Sequence, residues 1–334
     1  MQKEKVWGLL VNLGIWQGGE DESSGTFKFE QSAWEDILDQ CQDAGINTIV
    51  LDCGGAIDFP SHPEVTMEGA WSLEKLKEEI ERCRAKGIRI IPKLNFSAQH
   101  DNWLGEYNWM LCTSVYYKVC KDLINDAYEA FEHPEFIHIG MDEEDEAHAR
   151  SLKDVVTWRK PERHIHDVKY LIDCVTETGA KAWVWPEPLF YQTELYEKSI
   201  KPDEAIVSPA TYNAIYKEHW TPITSRQEYI DYYSKPPYKD MNLTYVEEEP
   251  YFNNFREKAL PLLEHGYTYV PIMSPYNKCD ISIDDVFRYF KENAPDEQIR
   301  GYMMTIWWFM TEEKKHHYEH GIKLFKDAKE KYYG

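Results

Sequence analysis

The feature that most constrains the fold is an alternation of eight short β-rich runs with amphipathic helical stretches, repeating about every 40 residues. The predicted strands are Val6–Asn12, Thr48–Asp52, Ile88–Asn95, Phe136–Met141, Lys181–Trp185, Ala205–Ser208, Tyr267–Met273 and Gly301–Phe309. Strands that alternate with helices form parallel βαβ units, because a parallel connection needs a crossover. We therefore expect an α/β fold, a single (β/α)8 TIM barrel, with one domain over residues 1–334. A doubly wound open sheet is the alternative, but no glycine-rich nucleotide motif supports it.

Apolar residues between these runs recur at helical spacing. The clearest stripes are Trp34, Ile37, Leu38 and Cys41; Leu73, Leu76, Ile80 and Cys83; and Val119, Leu123, Ala127 and Phe131. Further helices are expected near residues 166–178, 225–233, 255–263 and 316–331. The run 243–246 is either a ninth strand or an extended piece of loop.

The charge of the chain excludes one broad class of partner. With 37 basic and 59 acidic residues its net charge is −22, and such a surface repels phosphate backbones and anionic lipids. We therefore expect no nucleic-acid partner and no membrane partner. No run of 18 apolar residues occurs, so the sequence predicts no membrane span.

Cysteine usage and the N-terminal segment indicate the compartment. The seven cysteines are scattered and contain no CxxC pair, which is typical of reduced thiols. The first apolar stretch, Val6–Val11, is short and no small-residue cleavage site follows it, so it predicts a strand rather than a signal peptide. We therefore expect a cytoplasmic protein.

Polar and aromatic side chains stand at the C-terminal ends of most predicted strands, where barrels of this type carry their chemistry. The acidic run Asp142–Glu146 follows directly after the fourth strand, and tryptophans end two other strands. Besides Asp142 and Glu143, the expected site residues are Asp52, Asn95, His100, His138, Trp183, Trp185, Glu187, Tyr212, Trp307, Trp308 and Glu312. Since His138 alternates with isoleucines, it should point into the barrel, where it either orients a carboxylate or is a satisfied core histidine.

Paired carboxylates beside tryptophan are suited to carbohydrate chemistry. Glycosidic cleavage needs one carboxyl to protonate the leaving oxygen and a second group to stabilise the cation-like sugar. Adjacent residues of a strand face opposite sides, so Asp142 and Glu143 share a pocket only if the chain leaves its pleat there. In the alternative interpretation, residues 142–146 form a solvated acidic turn.

The segment Phe136–Glu144 resembles the fourth-strand signature of glycoside hydrolase family 20, the β-N-acetylhexosaminidases, which is a His, a Gly pair and then Asp-Glu. Similar segments follow the family order: residues 87–92 with His100, residues 207–209 with Tyr212, and Trp307-Trp308 with Glu312. Two departures stand out. Met141 replaces the second Gly of the signature, and Asn12, Gly14 and Trp16 stand where the family has a sugar-binding Arg.

The resemblance implies a substrate-assisted retaining glycosidase. Glu143 would act as general acid and then as general base, and Asp142 would orient the 2-acetamido group, whose carbonyl oxygen attacks the anomeric carbon. Tyr212 would bind that oxygen. The pocket walls would be Trp183, Trp185, Trp307 and Trp308. The expected function is exo-acting hydrolysis of a small β-linked (N-acetyl)hexosaminide or a related glycoside, with a carbohydrate as substrate.

Two other functions stay open: a sugar-binding barrel without catalysis, and a metal-assisted barrel that processes sugars. The pair Glu144 and His148 and the run His164-Ile165-His166 have metal-ligand spacing, but the second falls in a predicted polar connector. We therefore expect no metal and no cofactor. The missing Arg leaves open a homo-oligomer in which a neighbouring subunit completes the pocket.

Overall fold

Ten parallel strand segments form one sheet in a computed structural model, which describes residues 4–14, 27–144, 158–213, 215–216, 258–275 and 279–334. The segments are β1 (Val6–Asn12), β2 (Thr48–Asp52), β3 (Arg89–Lys93), β4 (Phe136–His138), β5 (Lys181–Val184), β6 (Ala205–Val207), β7 (Ala210–Thr211), β8 (Thr268–Tyr269), β9 (Ile272–Met273) and β10 (Gly301–Phe309). Their order in the sheet is β7-β9-β10-β1-β2-β3-β4-β5-β6-β8.

The sheet closes on itself, because β6 and β7 are halves of one strand, and β8 and β9 are halves of the next. Ile206 pairs with Thr268 and Thr211 with Met273, so both halves keep one register. A proline interrupts each strand, at 209 and at 271, and proline has no N–H to donate to a ladder. Because β9 pairs with β10 and β10 with β1, the chain forms eight strands in a ring. The predicted (β/α)8 barrel is confirmed.

Helices surround this sheet. Over the described residues they are α1 (Gln31–Asp43), α2 (Leu73–Ala85), α3 (Ser114–Ala130), α4 (Pro161–Thr178), α5 (Glu187–Tyr191), α6 (Thr193–Ser199), α7 (Ile281–Asn293) and α8 (Lys315–Tyr333), with a further helical segment at 258–263. Short 3-10 helices span Pro63–Val65, Asn102–Met110 and Asp296–Gln298. The predicted helix at 225–233 and the ambiguous run 243–246 lie outside the described residues. Within the described ranges no helix has the length and apolar character needed to cross a bilayer.

The predicted stripes of α1 and α3 are buried, whereas α2 differs at its start. Leu73 is 39% exposed because it is the first helical residue, beyond the layer that covers the sheet. Glu79 is buried on that face instead. Its carboxylate accepts a hydrogen bond from Trp34 Nε1 at 2.8 Å and pairs with Lys75 and Arg82, and this pairing permits a buried charge.

Strand alternation divides the core into two layers. One lies between strands and helices. The other fills the barrel, with Val6, Leu10, Val50, Ile91, Phe136, Trp183, Trp185, Ile206, Val270, Ile272 and Met303. The middle of the barrel is therefore packed mainly with apolar side chains, and a row of polar residues lies near the C-terminal ends of the strands.

Two predictions about local structure were wrong. Residues 164–166 are not a connector, because α4 begins at Pro161, where the fixed φ of proline suits the first helical turn. The ring of His164 is buried against the barrel. The fourth strand, predicted to end at Met141, is regular only over Phe136–His138. Its backbone hydrogen bonds to the neighbouring strands continue through Ile139 and Gly140, and the chain turns where φ becomes positive at Gly140 and Met141.

Candidate active site

A line of four polar residues crosses the inner face of the barrel near its C-terminal end. Asn12 pairs with Asp52, Asp52 with Lys93, and Lys93 with His138. Each lies two residues after an apolar residue of the inner core, so each side chain points inward. Lys93 Nζ forms an ion pair with Asp52, and their side chains are 3% and 16% exposed. The neighbouring strands therefore place two opposite charges at the base of the site.

The turn after β4 brings Asp142 and Glu143 to the same place. Gly140, Met141 and Glu143 all have positive φ, of 69°, 73° and 55°, so the chain leaves its pleat as the shared pocket requires. Asn95 holds this turn: its Oδ1 accepts from Met141 N at 3.2 Å, and its Nδ2 donates to Asp142 Oδ1 at 2.9 Å. The expected departure from the pleat is confirmed.

The imidazole of His100 lies against both carboxylates. Its Nε2 is 3.3 Å from Asp142 Oδ2 and 3.1 Å from Glu143 Oε2. Burial opposes a charge on the ring, but Asp142 and then Glu143 outweigh it and raise the pKa of His100 to about 10. Burial also opposes a charge on Asp142, yet His100, Lys93 and the Asn95 amide hold the pKa of that carboxyl well below its usual range. At neutral pH the site therefore contains an imidazolium beside an ionised Asp142.

Glu187, at the start of α5, adds a third carboxyl. Burial, followed by the negative charges of Asp142 and Glu143, raises its pKa well above the usual range, which favours the protonated form of this carboxyl. Its Oε2 is buried and has no hydrogen-bond partner among the described residues. A protonated carboxyl in this position can donate a hydrogen bond to a ligand.

His138 is a neutral donor inside the barrel, as its predicted inward direction implies. Gly140 N donates to its Nδ1 at 3.0 Å, so the proton of the neutral ring lies on Nε2. Burial and then the charge of Lys93 hold the pKa of His138 well below its usual range. The buried Nε2 has no partner among the residues that the structure describes.

Aromatic rings form one wall of the site. The Trp185 ring lies 4.7 Å from His138 and 6.1 Å from Trp307, and Tyr212 stands edge-on to Trp307 at 6.4 Å. Trp185 Nε1 is buried without a partner in the described part of the chain. Burial raises the pKa of Tyr212 above its usual range, so its hydroxyl keeps its proton. These three rings are placed as the sequence predicted.

Three predicted site residues lie elsewhere. Trp183 is fully buried and donates from Nε1 to Ser208 Oγ, so it is part of the packed floor rather than a wall. Trp308 faces the outer helices, where its ring stacks on His317 at 5.1 Å, because it alternates with the inward Trp307. Glu312 is on the outer surface, where it accepts from Ser32 Oγ at 2.6 Å and pairs with Lys315.

Sequence reasoning missed two cations. Lys93 could have been found from alternation, since it lies two residues after an apolar inward position of the same strand. No pattern in the sequence indicated that Arg159 is buried. Its guanidinium pairs with Glu144, and with Asp167 at 2.7 Å, and all three side chains are 1% exposed. Glu144 is therefore a structural residue of the acidic run.

One group of atoms in the site has the spacing of a cation site. Ligand atoms of His100, Asp142 and Glu143 lie within 4.8 Å of one another. A metal-binding imidazole is neutral, and its second nitrogen is normally held by an acceptor. Here the ring is charged, and the buried Nδ1 of His100 has no acceptor among the described residues. The arrangement therefore suits an ion pair better than a metal.

The parallel barrel and this cluster define the chain as a (β/α)8 protein with a carboxylate and indole site at its C-terminal face. No protein-family model matches the sequence, and no curated protein matches it. Solved structures do. The β-N-acetylhexosaminidase from Bacteroides fragilis NCTC 9343 aligns with a TM-score of 0.61 and 13% identity over 96% of this chain and 65% of that one.

Two further solved structures give the same result. The family 20 β-N-acetylhexosaminidase from Streptomyces coelicolor A3(2) aligns with a TM-score of 0.61 and 12% identity over 96% of this chain and 64% of that one. Dispersin B aligns with a TM-score of 0.54 and 14% sequence identity over 99% of this chain and 100% of that one. The chain thus spans about two thirds of the length of the two hexosaminidases. Its fold is that of the family 20 barrel, as the sequence resemblance predicted.

Proposed function

We propose that this protein is a glycoside hydrolase that releases a terminal β-linked N-acetylhexosamine from a small glycoside. One observation carries the proposal: Asp142 and Glu143 meet the same imidazole beside the rings of Trp185 and Trp307. Two carboxyl groups beside an apolar ring platform are the groups that glycosidic cleavage requires. The structural likeness to hexosaminidases supports this choice of sugar.

In the proposed reaction the acetamido group of the substrate is the nucleophile. Asp142, ionised, accepts a hydrogen bond from the acetamido N–H and so increases the charge on the carbonyl oxygen. That oxygen forms a bond to the anomeric carbon while the glycosidic C–O bond breaks, and Glu143 gives its proton to the departing oxygen. Water then adds to the anomeric carbon and returns a proton to Glu143, which restores the acetamido group and retains the configuration.

The neighbouring groups support the charges that develop. The protonated Tyr212 hydroxyl donates to the acetamido oxygen, and His100 keeps Asp142 ionised and in place. Lys93 with Asp52, and the Nε2–H of His138, offer donors and acceptors for sugar hydroxyls. A homo-oligomer in which a neighbouring subunit completes the pocket stays a prediction.

The proposal is tested with a panel of nitrophenyl glycosides, including the β-N-acetylglucosaminide and β-N-acetylgalactosaminide. We expect hydrolysis of at least one 2-acetamido substrate and strong competitive inhibition by a thiazoline that mimics the bicyclic intermediate. A glucoside without the acetamido group should be turned over far more slowly, because it lacks the nucleophile. No hydrolysis across the panel would favour a sugar-binding protein instead.

Metal-assisted sugar processing is a second candidate, favoured by the spacing of His100, Asp142 and Glu143. The two candidates differ in their response to metal. A glycosidase of the proposed kind keeps its activity in a chelator, whereas a metal-dependent enzyme loses activity and regains it with an added divalent cation. The charged state of His100 favours the first result.

A further inference from the structure

A second cleft, of about 400 Å³, opens on the face that carries the carboxylates. Trp109, Trp158, Asn108, Lys160 and Arg163 contribute to its lining, together with the side of Arg159. Its two walls come from the two loops that build the active site. The loop after β3 contains His100 and continues to Trp109, and the loop after β4 contains Glu143 and returns at Trp158.

Arg159 connects the cleft to the catalytic cluster. Its backbone N–H donates to Glu144 Oε2 at 3.2 Å and its guanidinium pairs with the same carboxylate. Glu144 directly follows Glu143 in the chain. The ion pair of Arg159 with Glu144 therefore links the lining of the cleft to the residue that follows the proposed acid in the chain.

The lining suits a sugar ring. Trp109 is 58% exposed and Trp158 is 46% exposed, although tryptophan is usually well buried. Asn108 is only 7% exposed, yet its Oδ1 has no hydrogen-bond partner among the described residues. Exposed indole faces bind the apolar face of a sugar, and a fixed amide can hydrogen-bond a hydroxyl.

The charges of the cleft point to an acidic ligand. Lys160 and Arg163 are exposed cations, while the charge of Arg159 is balanced by Glu144 and Asp167. No acidic residue is present among the described lining residues. At physiological ionic strength charges act over roughly 8 Å, so these local cations matter more to a ligand here than the net charge of −22.

We propose that this cleft binds the leaving-group saccharide of the substrate, with a sugar ring on Trp109 and Trp158 and its carboxylate or sulfate group against Lys160 and Arg163. This inference rests on the proposed function and narrows it to glycosides in which the terminal hexosamine is linked to an acidic sugar.

Three substrates test it: N-acetylglucosamine β-linked to glucuronic acid, the same sugar linked to glucose, and its methyl glycoside, which is too short to reach the cleft. We expect the acidic disaccharide to have the highest kcat/KM. Trp109→Ala and Trp158→Ala should lower kcat/KM for both disaccharides about tenfold and leave kcat/KM for the methyl glycoside within about twofold.

The double variant Lys160→Met, Arg163→Met should remove only the preference for the acidic disaccharide. Tyr191→Ala, which removes a 52% exposed aromatic ring elsewhere, is the matched control and should change nothing.

A binding measurement separates this inference from the proposed function. The Glu143→Gln protein is titrated with a glucuronate-containing oligosaccharide by calorimetry, which needs no turnover. Binding that is lost in the additional variant Trp158→Ala supports the cleft even if no glycoside is hydrolysed. Absence of binding, binding unaffected by loss of both tryptophans, or equal kcat/KM for acidic and neutral disaccharides overturns it. Melting temperatures of all variants confirm that they are folded.

Discussion

At the scale of single residues, the site depends on a backbone shape that few residues adopt. Met141, Glu143 and Trp307 have positive φ without being glycine, and such conformations cost of order 1–3 kcal/mol each. All three stand at the ends of β4 and β10, on the face of the barrel where the carboxylates meet. Asn95 holds the turn after β4 through the backbone N–H of Met141 and the carboxylate of Asp142. Strain of this kind is therefore present where the carboxylates are aimed, and it also occurs outside the site at Cys112, Glu132 and His133.

The first prediction concerns Gly140. A Cβ at this position would lie 1.9 Å from Asn95 Oδ1 and 2.9 Å from Asn95 Cα, so Gly140→Ala must displace the residue that holds Asp142. We expect kcat/KM to fall at least about tenfold. The control is Gly87→Ala, because Gly87 has a similar φ of 71° but no atom within 4 Å of an added Cβ. Equal activity of the two variants would contradict the role of Asn95.

The second prediction concerns the contribution of His100 to the free energy of unfolding at different pH. Its folded pKa is about 10 against an ordinary 6.5, so its contribution to stability is complete below pH 6.5 and is lost as pH rises through 10. The free energy of unfolding of the wild type should therefore exceed that of His100→Gln by more at pH 6 than at pH 10, as measured by urea unfolding. A difference that grows with pH would contradict the proposed imidazolium.

The sequence predicted those site residues whose position follows from the strand that they end, and it missed those whose burial depends on distant partners. Asp142 and Glu143 follow a buried strand, and Trp185, Trp307 and Tyr212 follow others, so topology alone predicted their convergence. Trp308 was misplaced because it alternates with the inward Trp307, and Glu312 because it lies beyond the end of β10 on the outer surface. Lys93 and Arg159 were missed because the burial of a cation depends on partners distant in sequence.

At the scale of elements, one ion network joins the loop after β4 to α4. The buried guanidinium of Arg159 pairs with Glu144 and Asp167 and donates a hydrogen bond to Tyr116 Oη at 2.8 Å. This network positions the acidic run without taking part in the proposed chemistry.

Arg159→Met tests this network. The change leaves two buried carboxylates without their cation, so the free energy of unfolding should fall by about 3–5 kcal/mol, measured by chemical unfolding. Lys118→Met is the matched control, because Lys118 pairs with Asp122 but its side chain is 74% exposed; little change is expected there. A small effect of Arg159→Met would mean that the network is not what holds α4 to the loop.

Element boundaries were predictable where the apolar pattern was strong. β10 matches its prediction over Gly301–Phe309, and the α1 stripe is buried as expected. The sixth and seventh strands were harder, because prolines divide each into two short pieces whose pairing shows only in three dimensions. The burial of Glu79 in α2 was not predicted, since its partners lie on other turns of the helix and on α1.

At the scale of the whole molecule, barrel closure explains how the site forms. Eight strands from all parts of the chain end on one face, so residues as distant as Asn12 and Trp307 are brought to the same opening. The sequence predicted this architecture because the βα alternation leaves few other topologies. The single domain over residues 1–334, the cytoplasmic location and a homo-oligomer remain predictions.

The central claim is that Glu143 protonates the departing oxygen, and the most direct measurement is the leaving-group dependence of Glu143→Gln. A sugar leaving group needs a proton, whereas dinitrophenolate does not. We expect Glu143→Gln to lower kcat/KM by roughly 10²–10⁴-fold for a disaccharide and by far less for the dinitrophenyl N-acetylglucosaminide. Glu312→Gln, which changes an outward-facing glutamate, should leave both substrates unaffected. An equal loss on both substrates, or full activity of Glu143→Gln on the disaccharide, would contradict the account.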